Sequence, residues 1–215
     1  DAVGGDVYGS WYCGRCGVWG EGRWFGSGAG VCIYSGGFAT QNERIILYSG
    51  GSSFTTCDSE DPANITSVRV QEFSLPEPGS DPTRQEAAHP HAAVLDPSKQ
   101  FILVPDLGAD LIHIYGIDTE GLALTKHEPL VVAPGSGPRH LTFVVKDTRA
   151  FMYLVTELSN TILGYEVTYG GGFISFKEIW SSGIHGEGKD VPQGAAAAEI
   201  AVSVSEPRDF RDSHS

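Results

Sequence analysis

The sequence predicts an all-β fold, a β-propeller of four-stranded blades, and three observations predict it. From Glu43 onward, short apolar runs alternate with glycine, proline and aspartate turns, and no segment sustains helical periodicity. The stretch PHAAVLDPSKQFILVPDLGADLIHIYGID lines up with RHLTFVVKDTRAFMYLVTELSNTILGYEV. His91 then answers His140 at a separation of 49, while Phe101 answers Phe151 and Tyr115 answers Tyr165 at 50. Each unit holds four strand-like runs, and about 40–50 residues per such unit is the period of a propeller blade. A β-sandwich with two similar hairpins is the competing arrangement, and several identities in phase weigh against it.

The elements are taken in chain order. Residues 1–36 interleave glycines with Trp11, Trp19 and Trp24, and such glycine density weakens helix and strand alike, so little regular structure is expected there. Residues 37–215 form the propeller part. RIILYSGGSSFTTC reads as strand, glycine turn, strand, and ANITSVRVQEFSL as a further strand rich in β-branched residues. PEPGSDPTRQEAAHP is a polar proline loop long enough to mark a functional crossing. HAAVL, QFILVP, LIHIYGI and LALTKHEPLVV are strands split by the turns DPSK, DLGAD and DTEG. A weaker unit spans about 43–80, and another begins at AAAAEIAVS, where Glu199 falls near the histidine position. About four units result, and a closed ring takes about 4–8. The last residues, VSVSEPRDFRDSHS, turn polar where strand, turn and strand are due, so the chain reads as an incomplete ring.

Composition narrows the partners. A net charge of −13 over 215 residues argues against nucleic acid and anionic membrane surfaces, which select basic proteins. No run reaches the ~18 apolar residues of a membrane helix. The chain therefore reads as soluble and cytoplasmic, with secretion left open and the oligomeric state unread. Cys13 and Cys16 have CxxC spacing, but glycines replace the helix a redox pair needs, and Cys32 and Cys57 make no second close pair for zinc. These cysteines read as incidental. Asn64-Ile65-Thr66 is a glycosylation sequon only in a secreted protein.

The stretches TRQEAAHPHAAVLDPSKQFILVPDLGAD, APGSGPRHLTF, VTELSNTI and AAAEIAVS resemble the lactonase family of seven-bladed β-propellers, its fungal members in particular, from about Glu43 to Ser203. That family includes the carboxy-cis,cis-muconate lactonizing enzyme and bacterial 6-phosphogluconolactonase. The resemblance implies a fragment holding about four blades of seven. It implies an enzyme that closes or hydrolyses a lactone on a small anionic substrate, a carboxylate or a sugar phosphate lactone, with neither metal nor organic cofactor. Two departures stand out. The first ~40 residues match nothing in the family, and about three later blades, with an expected arginine, are absent from the sequence.

In a propeller the first strand of each blade lines the central channel, so His91 and His140 should face one funnel. A histidine beside a guanidinium and a carboxylate fits proton transfer on an anion, and arginine clamps a carboxylate or phosphate in bidentate fashion. By the resemblance, His91, Arg139 and Glu157 match the catalytic positions. Arg139 would hold the carboxylate, and His91 or Glu157 would deliver the proton; in a hydrolase the same set would activate water and steady the oxyanion. His89 and His140 are placed as substrate-binding residues, and no set is read as a metal site. The residues alone leave structural roles open. Histidine and arginine at strand starts can bond carbonyls of the next blade. Glu157, aligned with Asp106 after a one-residue slip, can cap a turn. GSGPRH lacks the Lys-Ser/Thr ending of a phosphate loop. The alternative to an enzyme is a non-catalytic propeller acting as a binding or interaction platform, or an inactive truncated chain.

Overall fold

The computed structural model describes residues 10–13, 18–21, 31–33, 44–49, 52–58, 66–117, 124–186 and 188–202. Among them every regular element is a β-strand. A hairpin of β1 (Ser10–Cys13) and β2 (Val18–Glu21) precedes three four-stranded antiparallel sheets. The first sheet holds β3 (Val31–Ile33), β4 (Arg44–Ser49), β5 (Ser53–Asp58) and β6 (Thr66–Glu72). The second holds β7 (Val94–Leu95), β8 (Phe101–Asp106), β9 (Leu111–Ile117) and β10 (Leu124–Val131). The third holds β11 (Pro138–Lys146), β12 (Arg149–Thr156), β13 (Thr161–Gly170) and β14 (Phe173–Gly183). Each sheet is an up-and-down meander in sequence order, as a propeller blade is.

The glycine-rich first 36 residues thus contribute β1, β2 and β3, the last paired with β4 at the start of the first sheet. Main-chain pairing asks little of side chains, which is how strands form where composition disfavours them. Cys16 and Asn64, with the side chains of Cys13, Cys32 and Cys57, lie outside the described residues.

Period-two alternation puts successive side chains on opposite faces of a strand. In β8 both faces are covered, so every residue from Phe101 to Asp106 is buried. Phe101 and Leu103 pack with Ile112 and Ile114 against Leu141, Met152 and Leu154 of the third sheet. Ile102, Val104 and Tyr115 face the other way, toward Phe73 just after β6. This is the stacking of neighbouring blades. No described helix is long and apolar enough to cross a membrane.

The repeat appears directly in the strand register. Phe101 pairs with Gly116 and Phe151 with Glu166, while Tyr115 faces Ile102 and Tyr165 faces Met152. The expected slip between Asp106 and Glu157 is not there. Asp106 pairs with Leu111 and Thr156 with Thr161, so Asp106 corresponds to Thr156, and Glu157 corresponds to Leu107. The turn-capping work falls to the first pair. Asp106 Oδ1 accepts hydrogen bonds from the amides of His89, Gly108 and Ala109, and Thr156 Oγ1 accepts from the amide of Thr161. Glu157 is left free of that task.

The same turns tie each blade to the segment after it. Asp110 and Asn160 hold equivalent left-handed positions, φ 51° and 53°, a conformation that Asp and Asn tolerate better than most residues. The Asp110 carboxylate accepts from the amides of Gly135 (2.6 Å) and Gly137 (2.9 Å), which lead into β11. Asn160 Nδ2 donates to the carbonyl of Ala195 at 2.9 Å. Residues 195–202 carry no strand, yet they are held where the leader of a next blade belongs.

At Gly108 the β8–β9 turn lies directly against the loop before β7. A Cβ there would lie 1.8 Å from the carbonyl oxygen of Ala87, a backbone atom. Gly108→Ala should therefore destabilise the chain by about 1–3 kcal/mol, the usual cost of overpacking. Gly170→Ala is the control, since its Cβ meets nothing within 4 Å. Urea midpoints that coincide for the two variants would show that the backbones do not meet in this way.

Candidate active site

The site begins with a bulge. Pro138 pairs with Thr156, but the next pairing is His140 with Val155. In the second blade Pro90 bridges Asp106, and the amide of His91 donates to the carbonyl of Pro105 at 3.0 Å. Pro90 therefore corresponds to Pro138 and His91 to His140, leaving Arg139 as an inserted residue with no counterpart. A bulge re-aims a side chain without moving its neighbours. Here it sends the Arg139 guanidinium onto the carboxylate of Glu157.

Glu157 is 3% exposed, and its amide is fixed by the carbonyl of Gly137 at 2.8 Å. A buried carboxylate needs compensation. One oxygen takes Arg139 and the other takes Arg84, from the proline loop ahead of β7. Burial pushes this carboxyl up, but hydrogen bonds from Arg84 and Arg139, with their charges, outweigh it and hold the carboxyl below its ordinary 4.5. Two guanidiniums on one carboxylate leave a net positive charge. Arg139 Nε is buried with no hydrogen-bond partner among the described residues. A shallow cavity of about 270 Å³ elsewhere, beside Gly79 and Gly108, is lined by Glu77 and Asp110 and by no basic group, so it does not suit an anion.

His91 shares this environment. Burial, then the charge of Arg139, lowers its ring from 6.5 to about 4 against the opposing pull of Glu157, with His140 and His89 adding to the fall. At neutral pH the His91 ring is therefore uncharged. The His91 carbonyl faces His140 Nε2 at 3.3 Å, and His140 Nδ1 lies 2.9 Å from Glu199 Oε2, an ion-pair distance off the line of a hydrogen bond. His89 sits one step outward, its ring 2.9 Å from Glu86 and its amide on Asp106.

His91, Arg139, Glu157 and His140 thus meet in one cluster with His89 at its rim. Arg84 and Gln85 were missed by sequence reasoning. Gln85 is fully buried and staples the loop, donating to the carbonyl of Leu107 and accepting from the amide of Asp81, each at 2.9 Å. That staple delivers Arg84 to Glu157. The available signal was the loop itself, whose TRQEA text lay inside the resemblance. Among the described residues, no group of three or more His, Cys, Asp or Glu side chains stands in position to hold a metal ion.

Comparison with known proteins agrees with this architecture. The family described as lactonase, 7-bladed beta-propeller, matches residues 29–207. A probable 6-phosphogluconolactonase of Arthroderma benhamiae is 37% identical over 167 residues, which is 77% of this chain and 41% of that protein. The Bacillus subtilis 6-phosphogluconolactonase is 37% identical over 114 residues, 53% of this chain and 31% of its own length. Among solved structures, a 6-phosphogluconolactonase homologue of Bacteroides fragilis superposes with a TM-score of 0.58 at 29% identity, covering 81% of this chain and 49% of that one. The periplasmic gluconolactonase of Pseudomonas aeruginosa gives 0.55 at 26%, covering 70% and 41%. The chain spans less than half the length of these relatives. With the family matched along most of its residues, the chain belongs to the lactonase family of seven-bladed β-propellers.

Proposed function

We propose that the chain carries the substrate-gripping and water-activating groups of a hydrolase that opens the lactone of a phosphorylated sugar acid. The observation that carries this reading is the pairing of Arg84 and Arg139 on the single buried carboxylate of Glu157, beside an uncharged His91. The cluster is a positive spot in a chain of net charge −13, and such a spot selects an anion. Guanidiniums suit phosphate and carboxylate oxygens and the oxyanion that forms at a lactone carbonyl. His91, uncharged at neutral pH, would act as the base toward water. An anion bound at Arg139 offsets the charge that weakens His91 as a base, so substrate sharpens the base it needs. Hydrolysis is preferred to lactone closure on a muconate because the relatives it matches are named 6-phosphogluconolactonases.

The test is turnover of 6-phosphogluconolactone and of unphosphorylated gluconolactone by the chain and its variants. His91→Ala and Arg139→Ala should each cut kcat/KM at least ~100-fold, as loss of a base or a charge stabiliser does. Arg84→Ala should act mainly by raising KM for the phosphorylated lactone. Near-normal rates in both of the first two variants sink the assignment. Binding of the phosphorylated lactone without turnover would replace it with a binding platform.

A further inference from the structure

The second and third blades hold their leaders by different means, and the difference singles out His113. Ahead of β11, the amide of Gly137 is taken by Asp110 of the preceding blade at 2.9 Å. Register makes His89 the counterpart of Gly137, one residue before Pro90 and Pro138. Ser52 is the counterpart of Asp110, with φ 42° against 51°. Ser52 instead donates its hydroxyl to the carbonyl of Ala88, and the amide of His89 goes to Asp106 of its own blade, each at 2.7 Å. The second blade therefore buries a carboxylate, 0% exposed, where the third has Thr156. Asp106 Oδ1 accepts from the amides of His89, Gly108 and Ala109, and Oδ2 lies 3.1 Å from Nε2 of His113 on β9. The third blade has Leu163 at the place of His113. A buried carboxylate needs a partner at each oxygen, so Asp106 and His113 come as a pair that the third blade does without. His113 is 7% exposed, and its ring stacks on Phe73 at 4.1 Å. Its Nδ1 meets no partner among the described residues, so the ring has no second polar contact to serve there. An ionised carboxylate only accepts, and Nε2 donates; the contact is the same whether or not Nδ1 carries a proton.

We propose that His113 is a positioning residue for substrate grip: it holds the Asp106 carboxylate, which fixes the leader carrying His89 and the turn on which Arg84 depends. The inference rests on the lactonase reading above. The β8–β9 turn joins the two gripping groups. Asp106 takes the His89 amide, the Leu107 amide donates to the His89 carbonyl at 2.9 Å, and the Leu107 carbonyl receives the Gln85 staple behind Arg84. Without His113, Asp106 Oδ2 stands buried and unpaired, so the carboxylate turns toward water and Oδ1 leaves its three amides. The amide of His91 is held separately, on the Pro105 carbonyl within the ladder. Loss of His113 therefore loosens the grip on substrate and spares the reacting centre.

The experiment compares three variants with the unmodified chain. His113→Leu copies Leu163, His113→Gln keeps a donor, and the Asp106→Thr/His113→Leu double variant copies the turn of the third blade. Amide hydrogen exchange and turnover of 6-phosphogluconolactone are the two readouts. In His113→Leu the His89 amide should exchange at least ~10-fold faster, while the amides of β12 and β13 stay within about twofold of their parent rates. KM should rise about 10-fold with kcat within about twofold; partial unfolding, which only removes active molecules, would lower kcat and leave KM alone. His113→Gln should recover part of both changes. The double variant leaves no carboxylate unpaired, so it should fold even where His113→Leu does not, yet it should keep the fast His89 exchange and the raised KM. Unchanged exchange at His89 in a folded variant that lacks His113 overturns the inference and leaves the lactonase reading intact. A parental KM in the double variant, or a loss confined to kcat, does the same. A parent chain inert on the lactone overturns the lactonase reading, and with it the role in grip.

Discussion

Glu157→Gln will destabilise the chain by about 2–3 kcal/mol at neutral pH while leaving its volume unchanged. The carboxylate side chain is 4% exposed and stands between two guanidiniums. Breaking a buried ion pair by removing one partner costs roughly 3–5 kcal/mol, because the remaining charge stays out of water unpaired. The partners are less buried here, with Arg139 at 26% and Arg84 at 46% side-chain exposure, and the expectation is reduced accordingly. Arg84→Met should cost less than Arg139→Met, since the pair made by the more exposed Arg84 is the more screened by water. Urea unfolding of the three variants and of the Arg139→Met/Glu157→Gln double variant measures this. The double variant should lose less than the sum of its singles, because two groups on one network are not additive. A Glu157→Gln loss under about 0.5 kcal/mol, the range of ordinary surface changes, would mean that the carboxylate does not organise the two arginines.

The fold was legible because its period is written in side chains. Phe101 and Phe151, and Tyr115 and Tyr165, sit at identical places in the two ladders, as the spacing of 50 requires. Strand ends were less legible. β7 is only two residues long although HAAVL reads as a full strand, because Pro90 and the Asp106 cap take over its start. The strands of the first 36 residues were invisible for a different reason: glycine lacks the side chains that give a strand its alternation, while the main-chain pairing that makes β1, β2 and β3 asks little of side chains.

The site was legible in its residue types and not in its wiring. His91, His140 and Arg139 stand out as basic groups at strand starts, but that Arg139 is a bulge residue is evident only from the register of β11 on β12. The acidic alignment of Asp106 with Glu157 pointed to a shared turn role. The ladder assigns that role to Asp106 and Thr156, whose hydroxyl does for its turn what the Asp106 carboxylate does for the other. Arg84 lies 73 residues from Glu157, and no local pattern links residues so far apart.

Between about pH 6.5 and 4 the chain will lose up to ~3 kcal/mol of stability through His91 alone. Burial, then the charge of Arg139, lowers the His91 ring from 6.5 in an unstructured chain to about 4. In that window the unfolded chain binds the proton and the folded chain does not, so acidification favours unfolding and stability rises with pH. Above about 6.5 the ring is neutral in both states and contributes no slope. Glu157 acts in a lower window: its carboxyl is held below 4.5, so its contribution is present above 4.5 and is lost as pH falls through its folded value. The two effects have the same sign and separate by pH. His91→Gln should flatten the stability profile between pH 6.5 and 4 and keep the steeper loss below it. Glu157→Gln should remove part of that lower loss. Urea midpoints of the parent and both variants, stepped across this range, separate the two groups. A His91→Gln profile parallel to that of the parent would show that the ring charges as readily folded as unfolded. His91 would then no longer be the uncharged base on which the proposed hydrolysis depends.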